Sequence, residues 1–414
     1  MIVYSMKEND SKRMVRSAPS FLLNRSPRLR RWGTNRSTAI TVCLLFLIVG
    51  VYLGYVGVFR QYWEPKTSAA DTTTEPALYT VKEQMSVLRH FEELYELAFG
   101  GRAVEEDYGM IAIPGLEATK TLTENEGGKM EMCTSMTPQG LAIAKNYILV
   151  SAYCHTHRHN SVVYVLDKNT HEYLKTIVLE NKNHVGGLAF DKENSIIWVS
   201  TSHGEEERAA ASAFSLQSLE EYDLDEMECP IAYAYDYDLY TLEKDSFMTY
   251  ADGYLYIGHF SKNETSVVQK FEIEDGGSLK ISSGSDFGID QYIAVPTDVK
   301  KIPKRIQGFA IYGDKVILTQ SYGITRSSLL VYRYSDVMHR TQNKYTLNRI
   351  ILPQKLEQIY IDGADLYILF ESAAYAYSAE PVPKVDRILK LHLNKVLKVD
   401  IEDLLEAQDE LSAE

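Results

Sequence analysis

The sequence predicts an all-β fold: a β-propeller with five visible blades, a sixth being possible, preceded by one transmembrane helix and one juxtamembrane helix. Three observations carry this. Five stretches starting near Pro138, Val185, Asp245, Ile306 and Leu356 each read as an apolar strand, a tight polar turn and a second apolar strand. Equating Gly140, Gly187, Phe247, Gly308 and Gln358 gives spacings of 47, 60, 61 and 50 residues, close to a four-stranded blade of about 40–50 residues with loop insertions. The fifth unit lacks an outer strand, and residues 110–114 upstream can supply it beside residues 387–393, which closes the ring without a free edge. Two separate antiparallel sandwiches would also give short strands, but not a turn repeated at a fixed offset from a Gly-hydrophobic pair.

The elements follow in chain order. Residues 1–38 form a basic arm, with nine Lys and Arg against Glu8 and Asp10. From Ala39 to Phe59 there are 21 residues without a charge, enough for a helix to cross the bilayer core, which takes about 20. The basic flank stays cytoplasmic, and Trp32, Tyr62 and Trp63 suit the two interfaces. A cleaved signal peptide ending near Thr67 to Ala70 is the weaker reading, because its apolar region would be about 7–15 residues. The expectation is therefore a single-pass membrane protein with a cytoplasmic N-terminus and an extracellular C-terminal domain. Residues 60–107 hold a polar linker and one amphipathic helix, with Val81, Met85, Leu88, Phe91, Tyr95 and Phe99 at helical spacing.

Residues 108–394 are the propeller and 395–414 an acidic tail. A sixth blade could hide in the irregular stretches 205–240 or 283–304. With 43 Lys and Arg against 57 Asp and Glu, the net charge is −14, which repels phosphate backbones and argues against a nucleic-acid partner. Of the four cysteines, Cys43 lies in the apolar span, so Cys133, Cys154 and Cys229 allow at most one intramolecular bridge.

The GLAIA and GLAF openings, the polar turn, and strand endings such as IIWVSTS make residues 110–393 resemble bacterial secreted propellers of the YVTN or quinoprotein-like type. The resemblance implies a fold more than an activity. Some such proteins are enzymes with metal or quinone cofactors and many are binding or assembly platforms. No quinone or copper motif matches residue by residue, so the resemblance assigns no cofactor.

Candidate functional residues fall into three groups. In an extended segment His155, His157 and His159 would share a face beside Cys154, and thiolate with imidazole suits zinc or copper. The run also reads as an exposed polar loop, the simpler account. Tyr233, Tyr235 and Tyr237 alternate as on a strand, as a packed inter-blade surface or as stacking faces for a sugar or partner. The third group is axial. In a propeller the start of each innermost strand and the end of the next emerge together around the axis. That places Gln139, Ser246, Gln307 and Glu357 with Tyr153, Thr201, His259, Ser321 and Glu371, and His184 close by.

Motifs for metalloproteases, nucleophile elbows, phosphate loops, dinucleotide folds and EF-hands are absent. The first expectation is a cell-surface binding or scaffolding module for an extracytoplasmic protein or carbohydrate. The alternative is an extracytoplasmic hydrolase or lyase with Glu371 and His259 as acid/base pair; the axial site and the enzyme reading both require Gln139, His259, Gln307 and Glu371 to face one cavity. A metal-binding or redox accessory protein is a third option.

Overall fold

The computed structural model describes residues 77–100, 109–123, 128–204, 207–285, 288–289, 292–338 and 346–398. The basic arm, the apolar span at 39–59 and the acidic tail from 399 onward lie outside the described residues. Among the described residues, no helix is long and apolar enough to cross a membrane.

Five four-stranded antiparallel sheets make five blades. Blade 1 is Met136–Ala144, Tyr147–Cys154, Val162–Asp167 and Tyr173–Val178. Blade 2 is Leu188–Asp191, Ile196–His203, Arg208–Ser215 and Tyr235–Asp238. Blade 3 is Phe247–Ala251, Tyr254–His259, Ser266–Glu272 and Asp298–Ile302. Blade 4 is Ile306–Tyr312, Lys315–Gln320, Ser327–Arg333 and Asn348–Leu352. Blade 5 runs Leu356–Asp362, Asp365–Phe370 and Arg387–His392, and its outer strand is Ile111–Ala112 from far upstream. Ile111 pairs with Ile388 and Ala112 with Arg387, so the ring closes by the exchange that the missing strand predicts. The innermost strands contact one another in the cyclic order 1, 2, 3, 4, 5, 1.

The two stretches that could have held a sixth blade serve blades 2 and 3. Residues 205–240 include the helices Leu216–Glu221 and Leu224–Met227 and the outer strand of blade 2. Residues 283–304 contribute to a small hairpin, Ile281–Ser283 with Tyr292–Ala294, and to the outer strand of blade 3.

Each blade is covered on both faces by its neighbours. Strands such as Met136–Ala144 are therefore buried along their whole length rather than on alternate residues, which is why they read as apolar runs instead of a period of two. Between the first two strands of blade 3, Asp252 and Gly253 both hold positive φ, 49° and 73°, the backbone that a two-residue hairpin turn requires. Glycine at the start of the inner strands has a different reason. A Cβ on Gly140 would lie 3.0 Å from the Leu188 backbone nitrogen, and one on Gly187 would lie 2.6 Å from that of Met248. Only glycine lets these strands approach so closely.

Blade 5 has Gln358 where glycine would stand, and this buried side chain spans the axis. Its Oε1 accepts from the backbone nitrogens of Leu141 at 3.0 Å and Leu188 at 2.9 Å. Its Nε2 donates to the carbonyls of Leu188 at 2.6 Å and Met248 at 2.7 Å. All four hydrogen-bonding positions of one amide are thus used to join blade 5 to blades 1, 2 and 3.

The tyrosine-rich segment packs. Tyr235 stacks on buried Trp198 with ring centroids 6.1 Å apart, and Tyr237 lies 6.2 Å from the same ring. Tyr233 packs half-buried against the adjoining core cluster.

The segment read as a single amphipathic helix is two: Val81–Leu88, with a Thr80 and Glu83 capping box, and Glu92–Phe99. No glycine or proline breaks it. The backbone leaves the helical region at Phe91, with φ −122° and ψ 74°, so that Leu88, Phe91, Leu94 and Leu97 can all bury against blades 4 and 5. Just before the first helix, the Tyr79 nitrogen donates to Asp386 Oδ2 at 2.8 Å and the Arg387 guanidinium donates to the Tyr79 carbonyl at 2.8 Å. Gln84 donates to the Lys384 carbonyl at 2.9 Å.

These contacts make the segment before residue 103 part of the packed ring. A fully buried leucine contributes about 1.5–3 kcal/mol. Deleting residues 1–102 should therefore lower the thermal unfolding midpoint sharply, and an unchanged midpoint would show that the helices are accessory. Replacing Gln358 by leucine removes four hydrogen bonds at about 0.5–1.5 kcal/mol each, an expected loss of about 2–6 kcal/mol in denaturant unfolding. An unchanged transition would exclude the axial amide as a determinant of stability.

Candidate functional site

Three inner strands are irregular at the same place. Their pairing with the second strand shifts register between Pro138 and Leu141 in blade 1, between Ile306 and Gly308 in blade 4, and between Leu356 and Ile359 in blade 5. A bulge re-aims side chains that a regular ladder would place between sheets. Here the irregular positions include Gln139, Gln307 and Glu357, and all three line one cavity of about 580 Å³.

Eight of the ten predicted axial residues line this cavity: Gln139, His184, Thr201, Ser246, Gln307, Ser321, Glu357 and Glu371. Tyr153 stands behind the wall, its ring 4.2 Å from that of His184. His259 does not line it. Its Nε2 faces Glu243 Oε2 at 3.7 Å, so the proposed Glu371 and His259 acid/base pair is not brought together. The strand carrying His259 is the second of blade 3, and the inner strand of that blade starts later and without a bulge.

The centre of the site is a pair of buried carboxyls, Glu357 and Glu371, in hydrogen-bond contact with each other. Burial pushes both above the ordinary glutamate value, and for Glu357 the neighbouring Glu371 pushes further in the same direction. Two like charges in one desolvated place cannot both form cheaply, so the pair holds a proton. Glu371 Oε2 accepts from Gln139 Nε2 at 2.8 Å and from the Tyr377 hydroxyl at 2.7 Å. Gln307 Nε2 donates to Glu357 Oε1 at 3.3 Å.

A buried cation sits beside the pair. Lys355 Nζ lies 3.1 Å from Glu380 Oε2 and 3.6 Å from the centroid of the Tyr377 ring. Lys384 donates to the carbonyls of Tyr377 and Glu380, which pins the short 3₁₀ turn Tyr375–Tyr377 against the cavity. Burial lowers the Lys384 ammonium to about 8 despite the counter-charge of Glu380. Across the cavity, burial pushes Asp245 well above the usual carboxylate range, with the Ser200 hydroxyl and the backbone at Asp245 and Thr201 acting in the opposite direction; one carboxyl oxygen, the buried Oδ2, has no partner at hydrogen-bond distance. His184 is open to the cavity but ringed by protein elsewhere. Burial, with the charges of His157, Lys244 and His155, lowers its imidazole to about 4, so it is neutral at physiological pH.

Lys355, Tyr377, Glu380 and Asp245 were not legible as site residues. Lys355 precedes its inner strand in the left-handed region, as do Val185 and Arg305, with φ of 66°, 50° and 65°. Such a backbone signal is invisible when the residue is not glycine. Tyr377 and Glu380 lie in the long connection between Phe370 and Arg387. Asp245 directly precedes the predicted Ser246, and that adjacency was the only available signal.

The Cys154 to His159 run forms a turn rather than an extended face. His157 has φ 52°, and the exposed His155 and His157 rings lie 6.3 and 6.0 Å from Tyr153. The four residues therefore do not make one ligand set. Cys154 and His159 do meet, and they meet Cys133, which the sequence did not connect to them.

The carboxyl pair has a pH signature. An unfolded chain ionises glutamate near 4.5, whereas the folded chain keeps a proton at Glu357 and Glu371. The folded state then binds more protons, so stability falls as pH rises above that value. The Glu357→Gln variant should show a flatter dependence of thermal midpoint on pH than the parent between acid and neutral pH. Parallel profiles would show that the pair retains no proton.

No protein-family model and no curated protein matches the chain. Among solved structures, Kuenenia stuttgartiensis hydrazine synthase overlaps with a TM-score of 0.31 and 9% identity, covering 56% of this chain and 55% of that one. The WD40 β-propeller domain of Doa1 overlaps with a TM-score of 0.28 and 8% identity, covering 57% of this chain and 62% of that one. The chain thus spans less than two thirds of either, and the five-blade architecture rests on its own strand order.

Proposed function

We propose that the chain is a membrane-anchored, cell-surface binding module whose axial cavity takes a small hydroxyl-rich ligand, such as a sugar unit of an extracytoplasmic glycan. The observation that supports this best is the unsatisfied, buried Asp245 Oδ2 at the wall of a cavity that also holds the Glu357 and Glu371 pair. A buried polar atom without a partner is uncommon in a folded protein, and a ligand hydroxyl would satisfy it. The cavity offers donors from Gln307 and Lys355 and acceptors from the carboxyls, with Phe260, Tyr322 and Tyr377 as apolar surface. A few convergent polar groups among aromatic faces suit a polar ligand with one flat side. Acidic lining residues (Glu207, Asp245, Glu357, Glu371 and Glu380) outnumber the lysines (Lys182, Lys244 and Lys355), which disfavours a polyanion. Anchoring is supported by the uncharged 21-residue span behind the basic arm.

The hydrolase or lyase reading fails the requirement set for it, because His259 does not share the cavity of Gln139, Gln307 and Glu371; only the perturbed carboxyl pair still favours it. Sugar-cleaving enzymes that use two carboxyls hold them about 5 Å or more apart. Glu357 and Glu371 are in hydrogen-bond contact, so binding is the better account of this pair.

Titration calorimetry of the full chain against a panel of neutral and anionic oligosaccharides should find a binder. Asp245→Asn and Glu371→Gln should weaken it at least about tenfold, or 1.4 kcal/mol. No binder in the panel, or variants that bind like the parent, would refute the sugar reading. A cleaved product would move the assignment to the enzyme. For topology, protease added to intact cells should digest the chain beyond Trp63 and spare residues 1–38, and protection of the C-terminal part would sink the anchored, outward-facing arrangement.

A further inference from the structure

We propose that Cys133, Cys154 and His159 form a structural zinc site that clamps the hairpin preceding blade 1 onto that blade. This inference stands apart from the axial cavity and does not depend on what the cavity binds.

The three side chains come from different places. Cys133 ends the hairpin formed by Thr119–Leu122 and Met130–Cys133. Cys154 ends the second strand of blade 1. His159 follows the turn that carries the exposed His155 and His157. Their ligand atoms all lie within 4.8 Å of one another, and Cys154 Sγ is 3.3 Å from His159 Nδ1. Zinc bonds of about 2.3 Å to sulfur and about 2.0 Å to nitrogen put neighbouring ligands roughly 3.5–3.8 Å apart in a tetrahedron, so a small adjustment of rotamers is enough. Ser135 Oγ lies 3.6 Å from each sulfur and Thr156 Oγ1 lies 3.2 Å from Cys154 Sγ. Either hydroxyl, or a water held by them, can take the fourth position.

One further feature points to a metal. The other nitrogen of His159 is buried, makes no hydrogen bond, and lies 3.5 Å from Glu131 Oε2. A carboxylate behind a ligating imidazole is the arrangement that fixes the ring and raises its basicity in metal sites. Two thiols and an imidazole are soft to borderline donors, which favours zinc over calcium or magnesium.

The consequence is mechanical. The hairpin already docks on the loop through Asn160 N to the Leu122 carbonyl at 2.8 Å and Thr121 Oγ1 to the Asn160 carbonyl at 3.0 Å. Metal at the sulfurs would lock this contact and hold the turn that sets His157 at the cavity wall.

The test is metal content of the full chain purified under reducing conditions without chelator. One equivalent of zinc per chain is expected. Cys133→Ser and Cys154→Ser should lose it, and Cys229→Ser, at an exposed thiol, should keep it. Because a serine variant could misfold, the parent is also stripped with chelator and titrated with cobalt(II). A thiolate-to-cobalt absorption band that saturates at one equivalent, with recovery of the thermal midpoint, is the expected result. Absence of both retained zinc and the cobalt band would overturn the proposal. So would a Cys133 to Cys154 disulfide in protein isolated from its own cells, found by non-reducing peptide mass spectrometry.

Discussion

The side-chain amide of Gln358 is the interaction on which the rest of the ring depends. Five blades leave a narrow axis, and the backbone groups at the start of each inner strand have no ladder partner on the axial side. In blades 1 and 2, glycine lets neighbouring strands approach until Gly140 nearly touches Leu188 and Gly187 nearly touches Met248. At the seam between blade 5 and blade 1, one amide supplies two donors and two acceptor positions to three other blades. Buried and fully satisfied, it is the kind of polar group that specifies a unique arrangement instead of destabilising it.

Above that plug the same irregularity serves a different end. The bulges that free Gln139, Gln307 and Glu357 from the sheet faces let a cavity exist where a regular propeller would have only packed strands. Two carboxyls can then be buried together because side-chain amides, a tyrosine hydroxyl and a nearby ammonium surround them. The proton they hold, and the unpartnered oxygen of Asp245, make this end of the axis suited to a polar ligand.

Ring closure and the N-terminal helices are one arrangement. Ile111 and Ala112 pair with blade 5, and the segment before them folds back over blades 4 and 5. There a buried Asp386 and Arg387 ion pair, 2.6 Å between charged atoms, receives the backbone of Tyr79. An ion pair of that kind needs every remaining lone pair and proton satisfied to be tolerated. The incoming backbone does part of this, which ties the first described residues to the last blade.

What the sequence determined alone was what depends on short-range pattern: the repeated strand, turn and strand units, the missing fifth outer strand and its upstream replacement. It also placed most of the cavity-lining positions, because the start of one strand and the end of the next meet at the axis by topology. Tertiary structure alone decided the rest. Nothing local marks the bulges, the left-handed backbone at Lys355, or the break at Phe91, since each is imposed by packing against a distant segment. Gln358 looked like one more strand residue until the four backbone groups it joins, from blades 1, 2 and 3, were in place around it. For the same reason Cys133 and His159 met only in space, while His155 and His157 parted from Cys154 once the chain turned. The placement of His259 failed because the repeat alignment that put it at a strand end says nothing of whether that end leans toward the axis or toward Glu243. That direction is set by how far the neighbouring inner strand reaches, and residues far apart in the chain fix it.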